Sequence, residues 1–290
     1  MMQEELPEQL IENIVTLPTI PVVLAQLNSA IANADSSAAD IAKIISHDPS
    51  TATKVLRLAN SAYYGLRNKV TTINHAVTML GFNIIRNLVT TATVFDTPYD
   101  SDMCGLFDRE KFWQHSLATG YCSQILAREA LHLDRRSDDF FICGLLHDLG
   151  KIIFGQYLQA QFQEALEVSR DEAIPLFEAE KKVIGCTHTD VGGLLAKRWN
   201  LSQDIISALT YHHLPLKASE KVQNYTIVTH VSDYLVRKKQ IGAGGGSDPG
   251  IDQAAWETLR LDKKAVPEIL VEVHNLMNQE GLELRKPGTA

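Results

Sequence analysis

Ten histidines are spread along a chain of 290 residues, and several stand where an imidazole has a chemical use. Two are followed directly by aspartate. His47-Asp48 precedes Pro49, and an Asp ahead of a Pro at the first helical position reads as a helix N-cap, which accounts for that aspartate. His147-Asp148 is different. It ends the apolar run Phe140-Phe141-Ile142-Cys143-Gly144-Leu145-Leu146 and enters Leu149-Gly150-Lys151, with a turn expected at Gly150. His115 lies mid-helix among apolar neighbours in Phe112-Trp113-Gln114-His115-Ser116. His188 opens a helix one turn before Gly192 and Gly193, which permit close backbone approach. His212-His213 end a helix before Pro215, and Asp233 stands inside a helix otherwise lined by Ile227, Val228, Val231 and Leu235.

Any one of these is explained by a satisfied polar group in a core. Taken together they ask for a common partner, because buried Asp and His need partners and a divalent cation supplies them at once. Imidazoles with carboxylates suit Fe, Mn, Ni or Zn, whereas an all-oxygen shell suits Mg or Ca. The expected ligand set is His115, His147, Asp148, His188, His212, His213 and Asp233, holding one or two ions. Asp148 has two oxygens and can bridge two ions, which together can activate water and hold the attacked and leaving oxygens of a phosphoryl centre. Asp148 and Lys151 are the candidate catalytic residues. Lys151 has two readings, a positive charge offered to a phosphate or a solvent-facing lysine at a helix start. His47, His75, His132, His230 and His274 are read as ordinary.

The elements that must position these groups read as helices throughout. Ala52, Val55, Leu56 and Ala59 fall on one helical face, as do Ile41, Ile44 and Ile45, and then Ile84, Ile85, Leu88 and Val89. Thr72 opens a helix that Gly81 closes. The polar segment from Asp96 to Gly105 divides an N-terminal helical lobe, residues 1–98, from a second lobe, 99–240. Helices in the second lobe are expected at about 107–131, 138–147, 151–169, 175–184, 188–199, 203–213 and 219–240. Their caps are Ser137, Thr187 with Asp190, Ser202 and Ser219. The glycine run from Gly242 to Gly250 reads as a flexible loop, followed in 241–290 by two short helices near 252–260 and 265–279 and a polar tail. No period-two alternation, hairpin signal or internal repeat is present, so the fold class is all-α.

Composition narrows the function classes. With 27 basic and 35 acidic residues the net charge is −8, which argues against non-specific nucleic-acid binding. No apolar run approaches the ~20 residues of a spanning helix, and the acidic N-terminus lacks a signal-peptide pattern. Cys104, Cys122, Cys143 and Cys186 form no CxxC pair and read as buried reduced thiols, so a cytoplasmic location without membrane contact is expected.

The order His115, His147-Asp148, Asp233 resembles the motif of the HD superfamily of metal-dependent phosphohydrolases, over about residues 107–240. His188, His212 and His213 resemble the longer set of its two-metal branches, including the HD-GYP phosphodiesterases. Leu17-Pro18-Thr19-Ile20-Pro21, Asp48-Pro49, the run Leu56-Arg57-Leu58-Ala59-Asn60-Ser61-Ala62-Tyr63-Tyr64-Gly65 and Ala76-Val77-Thr78-Met79-Leu80-Gly81 resemble the HDOD family, the HD-related output domain. The resemblance covers roughly residues 10–240 and implies an all-α HD-like bundle with an N-terminal helical lobe. It further implies a bacterial signal-transduction module, many of whose relatives have lost part of the metal motif. Here every candidate ligand is kept, while Leu214-Pro215-Leu216-Lys217 replaces any Gly-Tyr-Pro motif, which counts against cyclic di-GMP cleavage. No sensor, receiver or cyclase region is left over, so a stand-alone HDOD unit is expected. Its partner would be a signalling protein or a phosphate-containing small ligand. The alternative is an active metal-dependent phosphohydrolase acting on a nucleotide or other phosphate ester.

Overall fold

Caps and apolar spacing determine where helices begin in this chain. In the computed structural model, Ser37 accepts from the Asp40 amide while Asp40 caps Ser37 in return, and a helix starts at Ala38. Thr72 accepts from the His75 amide, and Gly81 ends that helix at φ 84°. The structure describes residues 22–33, 35–60, 64, 66, 69–94, 107–132 and 138–279. The Leu17–Pro21 motif, Ser61–Tyr63 and Gly65, the Asp96–Gly105 junction, Ser137 and the C-terminal tail lie outside them. Among the described residues every regular element is helical, apart from an isolated bridge between Pro175 and Ser247.

The chain divides into two compact units. The first holds α1 (Val22–Ala32), α2 (Ala38–Ser46), α3 (Pro49–Ala59), α4 (Ile73–Leu80) and α5 (Phe82–Val94). Its core is built from the faces read in the sequence: Ile41, Ile45, Val55, Ala59, Ile85 and Val89 have 0% exposure. Each large aliphatic side chain so buried contributes about 1.5–3 kcal/mol. Asn60, just past α3, donates to the carbonyls of Leu56 (2.8 Å) and Val70 (2.7 Å) and accepts from the Val70 amide (2.7 Å). That one side chain closes the following segment.

The second unit holds α6 (Arg109–Leu131), α7 (Asp138–Leu146), α8 (Leu149–Tyr157), α9 (Gln159–Asp171), α10 (Leu176–Val183), α11 (His188–Arg198), α12 (Gln203–Tyr211), α13 (Gln223–Lys238), α14 (Gln253–Thr258) and α15 (Val266–Gln279). The long α6 packs against α7, α13 and α15, and α11 packs against α8 and α12. A bidentate pair, Arg128 to Glu272 at 2.7 and 3.1 Å, ties α15 to α6. The Thr187–Asp190 capping box forms as expected.

Four expectations need correction. The helix placed at 151–169 is two helices, because the chain breaks at Leu158 (φ −130°, ψ 41°). Ser219 does not cap; α13 begins at Gln223. The turn falls at His147–Asp148 rather than at Gly150, which lies in the first turn of α8. There a Cβ would collide with the His188 carbonyl, so glycine serves close packing of α8 on α11. The glycine run is a packed strap, not a flexible loop. The Ala243 amide donates to the Lys111 carbonyl (2.9 Å), and the amide and hydroxyl of Ser247 donate to Ser169 Oγ (3.0 Å) and its carbonyl (2.9 Å). Gly242, Gly245 and Gly246 take φ of 66°, 76° and 67°, a path glycine follows without strain.

Cys122, Cys143 and Cys186 are buried and free. No helix among the described residues is long and apolar enough to cross a membrane.

Candidate metal centre

Five elements of the second unit deliver the seven candidate ligands to one place. His115 comes from the middle of α6 and Asp233 from α13. His147 and Asp148 form the tight turn between α7 and α8. His188 is the first residue of α11, and His212-His213 follow α12. His115, His147, Asp148, His188 and His212 are 0% exposed and Asp233 is 2% exposed, so these groups answer to one another rather than to water.

Asp148 stands between two clusters, one around each oxygen. Its Oδ2 lies 3.2 Å from His147 Nε2 and 3.9 Å from His115 Nε2. Asp233 Oδ1 completes that side, 2.9 Å from His115 Nε2 and 3.6 Å from His147 Nε2. On the other side, Asp148 Oδ1 lies 3.2 Å from His188 Nε2 and 3.6 Å from His212 Nε2. His213 Nε2 joins at 3.2 Å from His188 Nε2. The donor atoms of His115, His147 and Asp148 lie within 4.8 Å of one another, as do those of Asp148, His188, His212 and His213. All seven residues expected from the sequence are therefore brought together.

The tautomers decide whether these atoms suit a cation. Nδ1 of His147 lies 2.7 Å from the Gly144 carbonyl, and Nδ1 of His212 lies 3.2 Å from the carbonyls of Ala208 and Leu209. Nδ1 of His188 lies 2.6 Å from Glu180 Oε2. Each of these acceptors fixes a proton on Nδ1 and turns Nε2 toward the centre, where it can bind a metal once any proton on it is displaced. Yet Nε2 of His188 faces Nε2 of His212 at 3.4 Å. His213 Nδ1 has no partner, so His213 can take the other tautomer and donate to His188, which relieves only one contact. Nε2 of His147, both ring nitrogens of His115 and Oδ1 of Asp148 have no hydrogen-bond partner. The 2.9 Å approach of His115 to Asp233 is short but off the line of an N–H donor. Imidazole nitrogens converging on carboxylate oxygens in a buried space fit a divalent cation, and the nitrogen-rich donor set fits a transition metal better than Mg or Ca.

Charge in the centre is strongly displaced from its solution values. Burial pushes the imidazolium forms of His115 and His212 down to about 4, and that of His213 well below the ordinary value. Burial also opposes the proton of His147, but Asp148 and Asp233 outweigh it and raise that pKa to about 9. Burial would raise Asp148 and Asp233. His147 and Lys151 overcome it at Asp148, and Arg237 and His115 at Asp233, holding both carboxyls well below the usual range.

Lys151 is 1% exposed, which removes its reading as a solvent-facing lysine. Its ammonium donates to Asp148 Oδ2 (2.6 Å) and to the Gly244 carbonyl of the strap (2.7 Å). Burial lowers its pKa. Three residues of the centre escaped the sequence reading. Arg237 Nε donates to Asp233 Oδ1 at 2.8 Å, and its Nη1 lies 3.4 Å from the Gly245 carbonyl. Its spacing of four from Asp233 on one helix was a usable signal. Glu180 had none, standing in a helix among charged neighbours. His230, read as ordinary, touches no candidate ligand atom. It holds the turn instead, with Nδ1 2.7 Å from the His212 carbonyl and Nε2 accepting from the Asp252 amide at 2.8 Å. The strap leaves over the centre a cleft lined by Lys151, Phe177, His213, Arg237 and Gly245, with room for about one water molecule.

Comparison with known proteins agrees with this architecture. The family model of the HDOD domain matches residues 17–215. An uncharacterized protein of Treponema pallidum (strain Nichols) is 29% identical over 209 residues, covering 72% of this chain and 40% of its own length. The chain thus spans about two fifths of that relative. Among solved structures, an HDOD domain protein of unknown function from Geobacter sulfurreducens superposes with a TM-score of 0.71 at 22% identity, covering 95% of this chain and 98% of that one. A protein from Shewanella amazonensis SB2B, provisionally named a phosphohydrolase, gives 0.69 at 24% identity, covering 94% and 98%. At these identities the likeness speaks to the fold. The family match spans more than half of the sequence, and the chain belongs to the HDOD domain family.

Proposed function

We propose that this chain is a signal-transduction module of the HDOD type, whose second unit holds a divalent transition metal and binds a phosphate-containing ligand or a signalling protein. One observation carries the reading: Nε2 of His147, His188 and His212 converge on the two oxygens of Asp148, each ring held from behind through Nδ1, in a buried space covered by the strap. His115, His147, Asp148 and Asp233 would hold one ion, and Asp148, His188, His212 and His213 a second. An ion held there supplies Lewis-acid stabilisation to a phosphoryl oxygen. Lys151 and Arg237 would offer their charges to the same ligand, since each rests a donor on a strap carbonyl that an anion's oxygen can replace. The water-sized cleft admits no phosphate group, so the strap must move before a ligand enters. The match to the HDOD domain family supports the regulatory role.

The second reading is a metal-dependent phosphohydrolase. The intact two-sided ligand set with Lys151 favours it, because a relic would be free to lose these groups. A panel of phosphomonoesters, phosphodiesters and nucleotides offered to metal-loaded protein separates the two. The regulatory reading expects binding without turnover. Turnover that disappears in Asp148→Ala would establish the enzyme instead.

A further inference from the structure

We infer that Glu180 is the positioning residue for the triple-histidine side of the centre, orienting His188 so that its Nε2 faces Asp148 Oδ1. The inference rests on the metal-holding reading above and adds a residue that neither the histidine pattern nor the ligand geometry assigns.

Glu180 is 0% exposed, while its neighbours Glu178, Lys181 and Lys182 on α10 face solvent. Its Oε2 accepts twice from one residue, from the His188 amide at 2.8 Å and from His188 Nδ1 at 2.6 Å. Its Oε1 has no hydrogen-bond partner. A buried carboxylate carries a desolvation penalty of several kcal/mol, so a fold that keeps one must gain from its charge. Capping of α11 is an incomplete explanation. Thr187 and Asp190 already form a reciprocal box there, and a cap has no use for the bond to Nδ1. That second bond fixes three things at once. It holds the proton on Nδ1, it sets the ring plane, and it raises the basicity of Nε2 through a charged acceptor.

The imidazole ring lies between the carboxylate and the centre, so Glu180 acts through His188 and does not reach an ion itself. His147 and His212 are oriented by backbone carbonyls. Of the three candidate ligand histidines held through Nδ1, His188 alone is oriented by a formal charge. Removing that charge should therefore weaken one side of the centre and spare the side built by His115, His147 and Asp233.

The test uses the full chain stripped of metal and titrated with Mn²⁺ by calorimetry, with each ion placed by anomalous scattering. Glu180→Ala should weaken the ion on the triple-histidine side by about 10–100-fold and leave the other within about twofold. Glu180→Gln keeps an acceptor for Nδ1 but loses the charge, and should fall between. In ¹⁵N spectra the His188 Nδ1–H tautomer should persist in the Gln variant and be lost in the Ala variant. A folded Glu180→Ala protein with wild-type affinity on both sides would overturn the inference, leaving Glu180 as a helix cap. If that variant does not fold, wild-type affinity in Glu180→Gln overturns it equally. Wild-type protein that takes an ion only beside His115 and His147 removes this inference but not the metal reading. Wild-type protein that takes no ion at all removes both.

Discussion

Replacing Lys151 by Met keeps the length of the side chain and removes its charge. The Lys151 ammonium is 2.6 Å from Asp148 Oδ2 and has 1% exposure. At an effective dielectric of about 20 that contact carries about 6 kcal/mol of gross Coulomb attraction. Desolvation offsets most of it in the folding balance, but removal of one partner strands the other, which costs about 3–5 kcal/mol. Lys151→Met should therefore destabilise the metal-free second unit by about 3–5 kcal/mol, and Asp148→Asn by a similar amount. The double variant should cost less than the sum of the two by about 2–3 kcal/mol, the coupling expected of groups in direct contact. Urea unfolding in EDTA, followed by tryptophan fluorescence, isolates the relevant transition, since Trp113, Trp199 and Trp256 all belong to the second unit. Single variants within about 0.5 kcal/mol of wild type, the range of surface substitutions, would refute the reasoning and return Lys151 to solvent.

Three further outcomes follow from the same geometry. His115 and His212 bind protons near pH 4 when folded but near 6.5 when unfolded, so acidification through that window should cost the metal-free unit about 3 kcal/mol per histidine; a stability flat from pH 7 to 4.5 by the same fluorescence assay contradicts this. His147 holds its proton up to about pH 9, so metal must displace it, and apparent affinity should rise up to about tenfold per pH unit between 7 and 9, with a proton released into the calorimeter buffer. Gly246→Val forces a β-branched residue into φ 67° and against Leu176, which should cost about 1–3 kcal/mol and admit protease cleavage between Ile241 and Gly250; wild-type resistance to cleavage would show that the strap does not depend on this path.

The helical class and the ligand set were legible because both rest on local patterns. His115, His147 and Asp233 stood out as polar groups in apolar stretches, and the structure brings them together. Lys151 was ambiguous because three residues of spacing from Asp148 cannot say whether the helix face between them is covered. The cover is the strap, and a glycine run has the same composition whether its backbone is solvated or pressed against Lys111 and Leu176. Arg237 was hidden beside Lys238 and Lys239, where basic residues at a helix end already have a reason in the helix dipole. Glu180 was hidden among Glu178, Lys181 and Lys182, whose exposure gives no hint that one carboxylate turns inward.

The central claim is that these side chains are held together by a transition metal. The measurement that addresses it most directly is elemental analysis of protein purified without added metal, joined to an anomalous-scattering map of its crystals. At least one transition ion per chain is predicted, in contact with Asp148 and with Nε2 of the surrounding histidines. An ordered centre without an ion, its lone pairs met by protein groups and water alone, would contradict the account.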